Sequence, residues 1–169
     1  LHVVQSGPKS GVPVVLLHGF PEFWYGWRHQ IPALVEAGCR VIVPDQRGYN
    51  LSDKPKGAKN YGAFTLVEDI IGLIDVLGYE KVNLVGHDWG AVVAWTLAIK
   101  YPERLHRLSI MNVPHPAVMK RFLTRDLEQL RRLEAERAGD EVRGKLLLGG
   151  VEAGGDVVVE LPRKADFVL

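Results

Sequence analysis

Gly86-His87-Asp88-Trp89-Gly90 lies where one apolar run, Val82 to Val85, gives way to a second apolar stretch at helical spacing. That is strand, sharp turn and helix, with a carboxylate at the tip of the turn. An acidic residue there can act as a nucleophile, or it can cap the helix, a place Asp fills often. The flanking glycines fit a crowded turn, because a β-carbon at Gly86 or Gly90 would meet the facing strand or helix. The pentapeptide alone leaves both readings open. Two more polar clusters also follow apolar runs: His18-Gly19-Phe20-Pro21-Glu22 and Asp45-Gln46-Arg47-Gly48-Tyr49.

The elements that must position these residues are legible in order. Leu1 to Gln5 reads as a short strand, and Val12 to Leu17 as a strand buried on both faces. Trp24, Trp27, Ile31, Leu34 and Val35 have helical spacing, with Pro32 marking a helix start or a kink. Gly38 suits a helix stop. Cys39 to Pro44 is the next buried strand, and Asp45 to Pro55 a polar loop. Thr65 and Glu68 form a capping-box pattern ahead of Leu66, Ile70, Leu73, Ile74 and Leu77, with Gly78 ending that helix. Lys81 to Val85 is a strand, the helix after Asp88 runs to about Tyr101, and Arg107 to Asn112 is a further strand. Strands alternating with helices at these lengths predict an α/β fold, with a doubly wound, mostly parallel sheet. Function in such sheets gathers at the carboxyl ends of strands, where all three polar clusters lie.

Composition narrows the class. The 169 residues are 47% hydrophobic and 24% charged with a net charge of +1, so nothing points to nucleic acid. Cys39 is the one cysteine, so no internal disulfide forms. No apolar run approaches a membrane span and no signal-peptide pattern opens the chain, so the expectation is a soluble, cytoplasmic protein with no membrane partner.

His18-Gly19-Phe20-Pro21-Glu22-Phe23-Trp24-Tyr25, Asp45-Gln46-Arg47-Gly48-Tyr49, Gly86-His87-Asp88-Trp89-Gly90 and Asn112-Val113-Pro114-His115-Pro116 together resemble epoxide hydrolases of the α/β-hydrolase superfamily. The likeness covers roughly residues 1–122 and makes Gly-x-Asp-x-Gly a nucleophile elbow with Asp in place of the usual Ser. A carboxylate is already ionised near neutral pH, so it needs no base to attack the saturated carbon of an epoxide. Attack by Asp88 gives a glycol ester, which water can hydrolyse at the carboxyl carbon of Asp88. A serine would give an ether, a dead end.

The resemblance implies that the backbone N–H groups of Phe20 and Trp89 form the oxyanion hole. It also implies a cis Phe20–Pro21 peptide, plausible only because Pro follows. His18, Gly19, Pro21, Gly86, His87 and Gly90 are supporting residues. His18 braces the oxyanion loop and His87 packs beside the nucleophile. Arg47 is expected to pair with a carboxylate or carbonyls, and Trp24, Trp27 and Trp95 to be core. His115 is read as structural. The substrate implied is a small-molecule epoxide, with no cofactor and no metal.

Haloalkane dehalogenases share the Asp–Trp pair but usually carry Asn where Phe20 stands, and they are the alternative. Fluoroacetate dehalogenases carry Arg where Trp89 stands, and Asp88 disfavours serine esterases. A non-catalytic module on the same half-fold is a further alternative.

Residues 123–169 match no pattern of the family. The family's lid tyrosines, late acidic residue and late histidine have no counterpart, since no tyrosine follows Tyr101 and no histidine follows His115. Thr124 to Ala138 reads as a charged amphipathic helix with Leu127, Leu130 and Leu133 on one stripe, stopped by Gly139. Lys145 to Leu148 is a short apolar run, Gly149-Gly150 and Gly154-Gly155 flank a linker, and Val157 to Leu161 suits a strand. The domain reading is residues 1–122 as the front half of an α/β-hydrolase core and 123–169 as an unmatched tail. On that reading the fold is incomplete, a fragment or altered gene product. Its unpaired sheet edge and apolar surface lead us to expect self-association.

Overall fold

The computed structural model describes residues 1–139 and 157–159. Two compact units divide the chain: residues 1–113 with 155–169, and residues 114–154. The first unit holds a six-stranded sheet built from β1 (Val3–Ser6), β2 (Val12–Leu17), β3 (Cys39–Pro44), β4 (Val82–His87), β5 (Leu105–Met111) and β6 (Val157–Val159). Its helices are α1 (Gln30–Glu36), α2 (Ala63–Val76) and α3 (Trp89–Lys100). The strand order is β1-β3-β2-β4-β5-β6. β3, β2, β4 and β5 run parallel, while β1 and β6 pair antiparallel to β3 and β5.

Alternation along the central strands sorts side chains to two faces. Val15, Leu17, Ile42, Leu84 and Ile110 pack with Leu66, Ile70 and Ile74 of α2 and Ala91, Ala94 and Leu97 of α3. Val14, Leu16, Val41 and Val43 pack with Trp27 and, from α1, Ile31 and Leu34. Helices therefore cover both faces, which is why β2 and β3 read as continuous apolar runs rather than alternating ones. Trp27 and Trp95 are core residues, each 7% exposed. After β2 the chain crosses to β3 on one side, then returns to β4 on the other. The crevice between the carboxyl ends of β2 and β4 is thus a topological switch point, and His18 and Asp88 stand at it.

Pro32 falls in the first turn of α1, where its missing N–H costs nothing, so it marks a start and not a kink. α2 begins at Ala63 with Gly62 as N-cap, three residues ahead of the expected Thr65 cap. The capping box is not made because Thr65 lies inside the first turn, and Glu68 is engaged elsewhere. Its Oε1 accepts from Lys100 Nζ at 2.5 Å and from Tyr101 OH at 2.8 Å, which ties α2 to the end of α3.

The second unit contains α4 (Pro116–Gly139), which begins eight residues before the expected Thr124. Pro116 is pre-set for a first helical turn. The His115 side chain accepts from the Ala117 N–H at 3.2 Å, and the His115 carbonyl accepts from the Met119 N–H at 2.9 Å. A structural role for His115 thus has a geometric form. The Lys145–Leu148 run and both glycine pairs lie outside the described residues. No helix among the described residues is long and apolar enough to cross a membrane.

Candidate active site

β4 ends at His87, and Asp88 takes φ 51° and ψ −117° before α3 begins at Trp89. A non-glycine residue at positive φ is strained, and such strain persists only where the surroundings enforce it. Here they do. The Asp88 N–H donates to Asn112 Oδ1 at 2.9 Å, and the Asp88 carbonyl accepts the Ala91 N–H at 3.0 Å. A β-carbon on Gly86 would lie 2.7 Å from Ala91 Cα and from Gly90 O. One on Gly90 would meet the Leu17 and His18 carbonyl oxygens. The elbow packs backbone against backbone, with no space for side chains at either glycine.

The carboxylate does not cap α3 through its side chain. Instead its Oδ1 accepts the Phe20 N–H at 3.0 Å. The Phe20 N–H hydrogen bond and then that of the Trp89 N–H hold the Asp88 carboxyl below the ordinary carboxylate range, against partial burial and with a smaller contribution from His87. The Phe20 N–H from the loop after β2 and the Trp89 N–H at the start of α3 thus favour the charged form of this carboxyl group, which stays ionised at neutral pH.

The aim of the Phe20 N–H follows from the rigid peptide plane. Gly19 C=O and Phe20 N–H belong to one planar unit and point in opposite directions. Gly19 O accepts from the Glu22 N–H at 3.0 Å and bonds His18 Nδ1 at 2.9 Å. Holding the oxygen on one side directs the N–H to the other, towards Asp88. The Phe20–Pro21 peptide is cis, as the resemblance implied. Gly19 has no room for a side chain, since a β-carbon would lie 2.7 Å from Asp88 Cβ.

His18 is fully buried. Its Nε2 accepts the Gln46 N–H at 3.0 Å, so in the neutral ring Nδ1 carries the proton and donates to Gly19 O. Burial pushes its pKa down, with the Gly19 hydrogen bond and the charges of Asp45 and Glu22 opposing more weakly. His18 touches Gly19 and Gln46 and has no hydrogen bond to Asp88. His87 is half-exposed, with Nδ1 3.4 Å from Glu22 Oε2 and its ring edge-on to Trp27. Phe20 is 72% and Trp89 38% exposed, so both side chains are open to solvent, while the Phe20 N–H donates to Asp88.

The Asp45 loop is fixed from below. The Asp45 side chain is buried and accepts from the Trp24 N–H at 2.9 Å, Asn50 Nδ2 at 2.8 Å and His2 Nδ1 at 2.7 Å. Burial raises its pKa, but these donors together outweigh burial and leave the carboxylate below its ordinary value. The carboxylate expected for Arg47 is Asp69 of α2, held by a two-pronged pair at 2.7 and 2.6 Å.

Three residues near the site carry no role in the sequence reading: Gln46, Tyr49 and Asn112. Each stands inside a motif quoted for the resemblance, but nothing in spacing says which member touches Asp88 or His18. Among the described residues no cluster of three or more His, Cys, Asp or Glu side chains is placed to hold a metal.

A mostly parallel sheet with helices on both faces and a strained acidic elbow at its switch point is the geometry of an α/β-hydrolase. The family model described as alpha/beta hydrolase fold matches residues 12–162, and the chain belongs to that family. Among particular relatives, the AB hydrolase superfamily protein YfhM of Bacillus subtilis is 60% identical over 120 residues, which are 71% of this chain and 42% of that protein. Epoxide hydrolase B of Mycobacterium tuberculosis is 51% identical over 116 residues, covering 68% of this chain and 33% of the relative. The crystal structure of epoxide hydrolase A from Mycobacterium thermoresistibile is similar at 48% identity with a TM-score of 0.65, covering 66% of this chain and 35% of that one. The chain therefore spans between about a third and two fifths of the lengths of these relatives.

Proposed function

We propose that this chain carries the nucleophilic half of an epoxide hydrolase, with Asp88 as nucleophile and the Phe20 and Trp89 N–H groups as its oxyanion hole. The observation that carries the reading is the Asp88 carboxyl at a strained elbow, bonded by the Phe20 N–H at 3.0 Å. Relatives named epoxide hydrolases support it.

An Asp88 oxygen attacks a ring carbon, the carbon–oxygen bond on that carbon breaks, and the freed alkoxide takes up a proton. The product is a glycol ester on Asp88. Water then adds to the carboxyl carbon of Asp88, and the charge develops on the oxygen facing the two donors. One such donor is worth roughly 3–4 kcal/mol in a comparable oxyanion hole. Collapse releases a diol and restores the carboxylate.

The second step needs a base to activate water. No histidine follows His115 in this sequence, His18 is fully buried, and His87 lies beside Glu22. For the 169-residue polypeptide itself, the expected outcome is alkylation of Asp88 without sustained turnover.

Mass spectrometry after incubation with styrene oxide tests both parts. The expected result is one epoxide mass on the peptide holding Asp88, absent in Asp88→Ala. No adduct and no diol would support a non-catalytic module instead. Multiple-turnover diol formation would overturn the expected stall. The Asp88–Trp89 pair also suits alkyl halides, so a parallel incubation with a bromoalkane is needed. Faster adduct formation there would favour the dehalogenase reading.

A further inference from the structure

The turn after β3 touches His18, and what it does there rests on the reading of Phe20 N–H as an oxyanion donor. Tyr49 is half-buried, its ring centroid 4.8 Å from that of His18 at an interplanar angle of 77°. Such an edge-to-face pair has a defined geometry and resists rotation of either ring. The turn is tied at several points. The Tyr49 N–H donates to Gln46 O at 3.0 Å, the Ser52 N–H donates to Tyr49 O at 2.9 Å, and Ser52 Oγ donates to Asp45 O at 2.5 Å. Gly48 adopts φ +93°, and a β-carbon there would lie 2.8 Å from Tyr61 Cε1.

His18 needs both nitrogens in place. Rotating its ring by half a turn would remove Nδ1 from Gly19 O and Nε2 from the Gln46 N–H together. The Tyr49 ring stands against that rotation. Gln46 acts on the same residue a second way, donating from Nε2 to the His18 carbonyl at 2.6 Å. Its Oε1 is buried without a hydrogen-bond partner among the described residues.

The geometry points to Tyr49 and Gln46 as positioning residues that lock His18 in its Nδ1–H form and so aim the Phe20 N–H at Asp88. Tyr49 acts through its ring and touches no reacting atom in this scheme.

The test needs no substrate, so its failure is separable from failure of the epoxide reading. In the 169-residue chain, 15N NMR reads the His18 tautomer and 13C NMR the titration of the Asp88 carboxyl. The expected wild-type result is protonated Nδ1 and an Asp88 midpoint below the ordinary value of about 4. Tyr49→Phe keeps the ring and should leave both unchanged. Tyr49→Leu should mix the His18 tautomers and move the Asp88 midpoint up towards the ordinary value. If circular dichroism shows that Tyr49→Leu does not fold, Gln46→Met takes its place. Met loses one donor and the orphaned acceptor together, and the same upward shift is expected. An unshifted Asp88 in the folded variant overturns the assignment. So does Tyr49→Phe shifting as far as Tyr49→Leu, or a wild-type His18 protonated on Nε2.

Discussion

Asp88 carries a positive φ, and two backbone N–H groups depress the pKa of its carboxyl. The depressed pKa has a kinetic consequence. If Asp88 is the nucleophile proposed above, its ionised form reacts, so adduct formation should stay flat from neutral pH well into the acid range. It should fall only below the ordinary carboxylate value of about 4, as a pH series of adduct yields would show. A rate falling already near pH 6 would mean that another group limits the step. Gly19 is a second residue-scale test. Its missing side chain leaves the 2.7 Å approach to Asp88 Cβ open, so Gly19→Ala must push Asp88 or the His18–Glu22 loop aside. Adduct formation should drop by about tenfold or more, since small displacements of reacting groups cost rates of that order. Single-turnover kinetics by mass spectrometry would read it.

Among elements, the Asp45 loop is held by a buried carboxylate whose partners come from three directions: His2, Trp24 and Asn50. Replacing it with alanine strands those donors. Asp45→Ala is therefore expected to cost about 3 kcal/mol of stability, measured by urea unfolding. A loss under about 0.5 kcal/mol, the range of an ordinary surface change, would show that the cluster is not what holds the loop. Arg47 and Asp69 join the same loop to α2. Both are partly exposed, so a double-mutant cycle should give a coupling of only about 1 kcal/mol. The elbow glycines also belong to this scale. Gly86→Ala sets a carbon against the α3 backbone, and overpacking of that kind costs about 1–3 kcal/mol. A lowered thermal midpoint with unchanged far-UV dichroism is the expected outcome.

For the whole molecule, the buried groups set the response to acid. His18 has a folded pKa below its unfolded value of about 6.5 because of burial. The unfolded chain then binds the proton more readily, so stability is full above that value and is lost as pH falls below it. Asp45 and Asp88 also titrate below their ordinary value in the folded state. Their contribution is present above about pH 4 and is lost as pH falls through the folded values. Two successive losses are therefore expected, one starting near pH 6.5 and one below about pH 4. Thermal midpoints measured from pH 8 to 3 would show them. A His18→Asn variant should lose the first and keep the second. Rising stability between pH 7 and 5 would contradict the buried, neutral state of His18.

The sequence by itself determined the order of strands and helices, the loops that carry chemistry, and the acidic elbow between Gly86 and Gly90. Those features are local. Apolar runs and glycine-flanked turns are written in neighbouring residues, so β2 and β3 match their expected bounds. α2 starts ahead of Thr65, at Ala63 after Gly62, and Glu68 bonds a distant pair, Lys100 and Tyr101, in place of a local capping box. α4 starts at Pro116, ahead of Thr124, and His115 bonds its first turn. Whether Asp88 capped a helix or faced a site was open for the same reason. Only the tertiary structure supplies the contacts that bear on it, the Phe20 N–H from 68 residues away on the carboxylate and Asn112 from 24 residues away on its backbone. The roles suggested for Tyr49 and Gln46 were equally hidden, because a ring against a buried histidine leaves no periodicity in the chain.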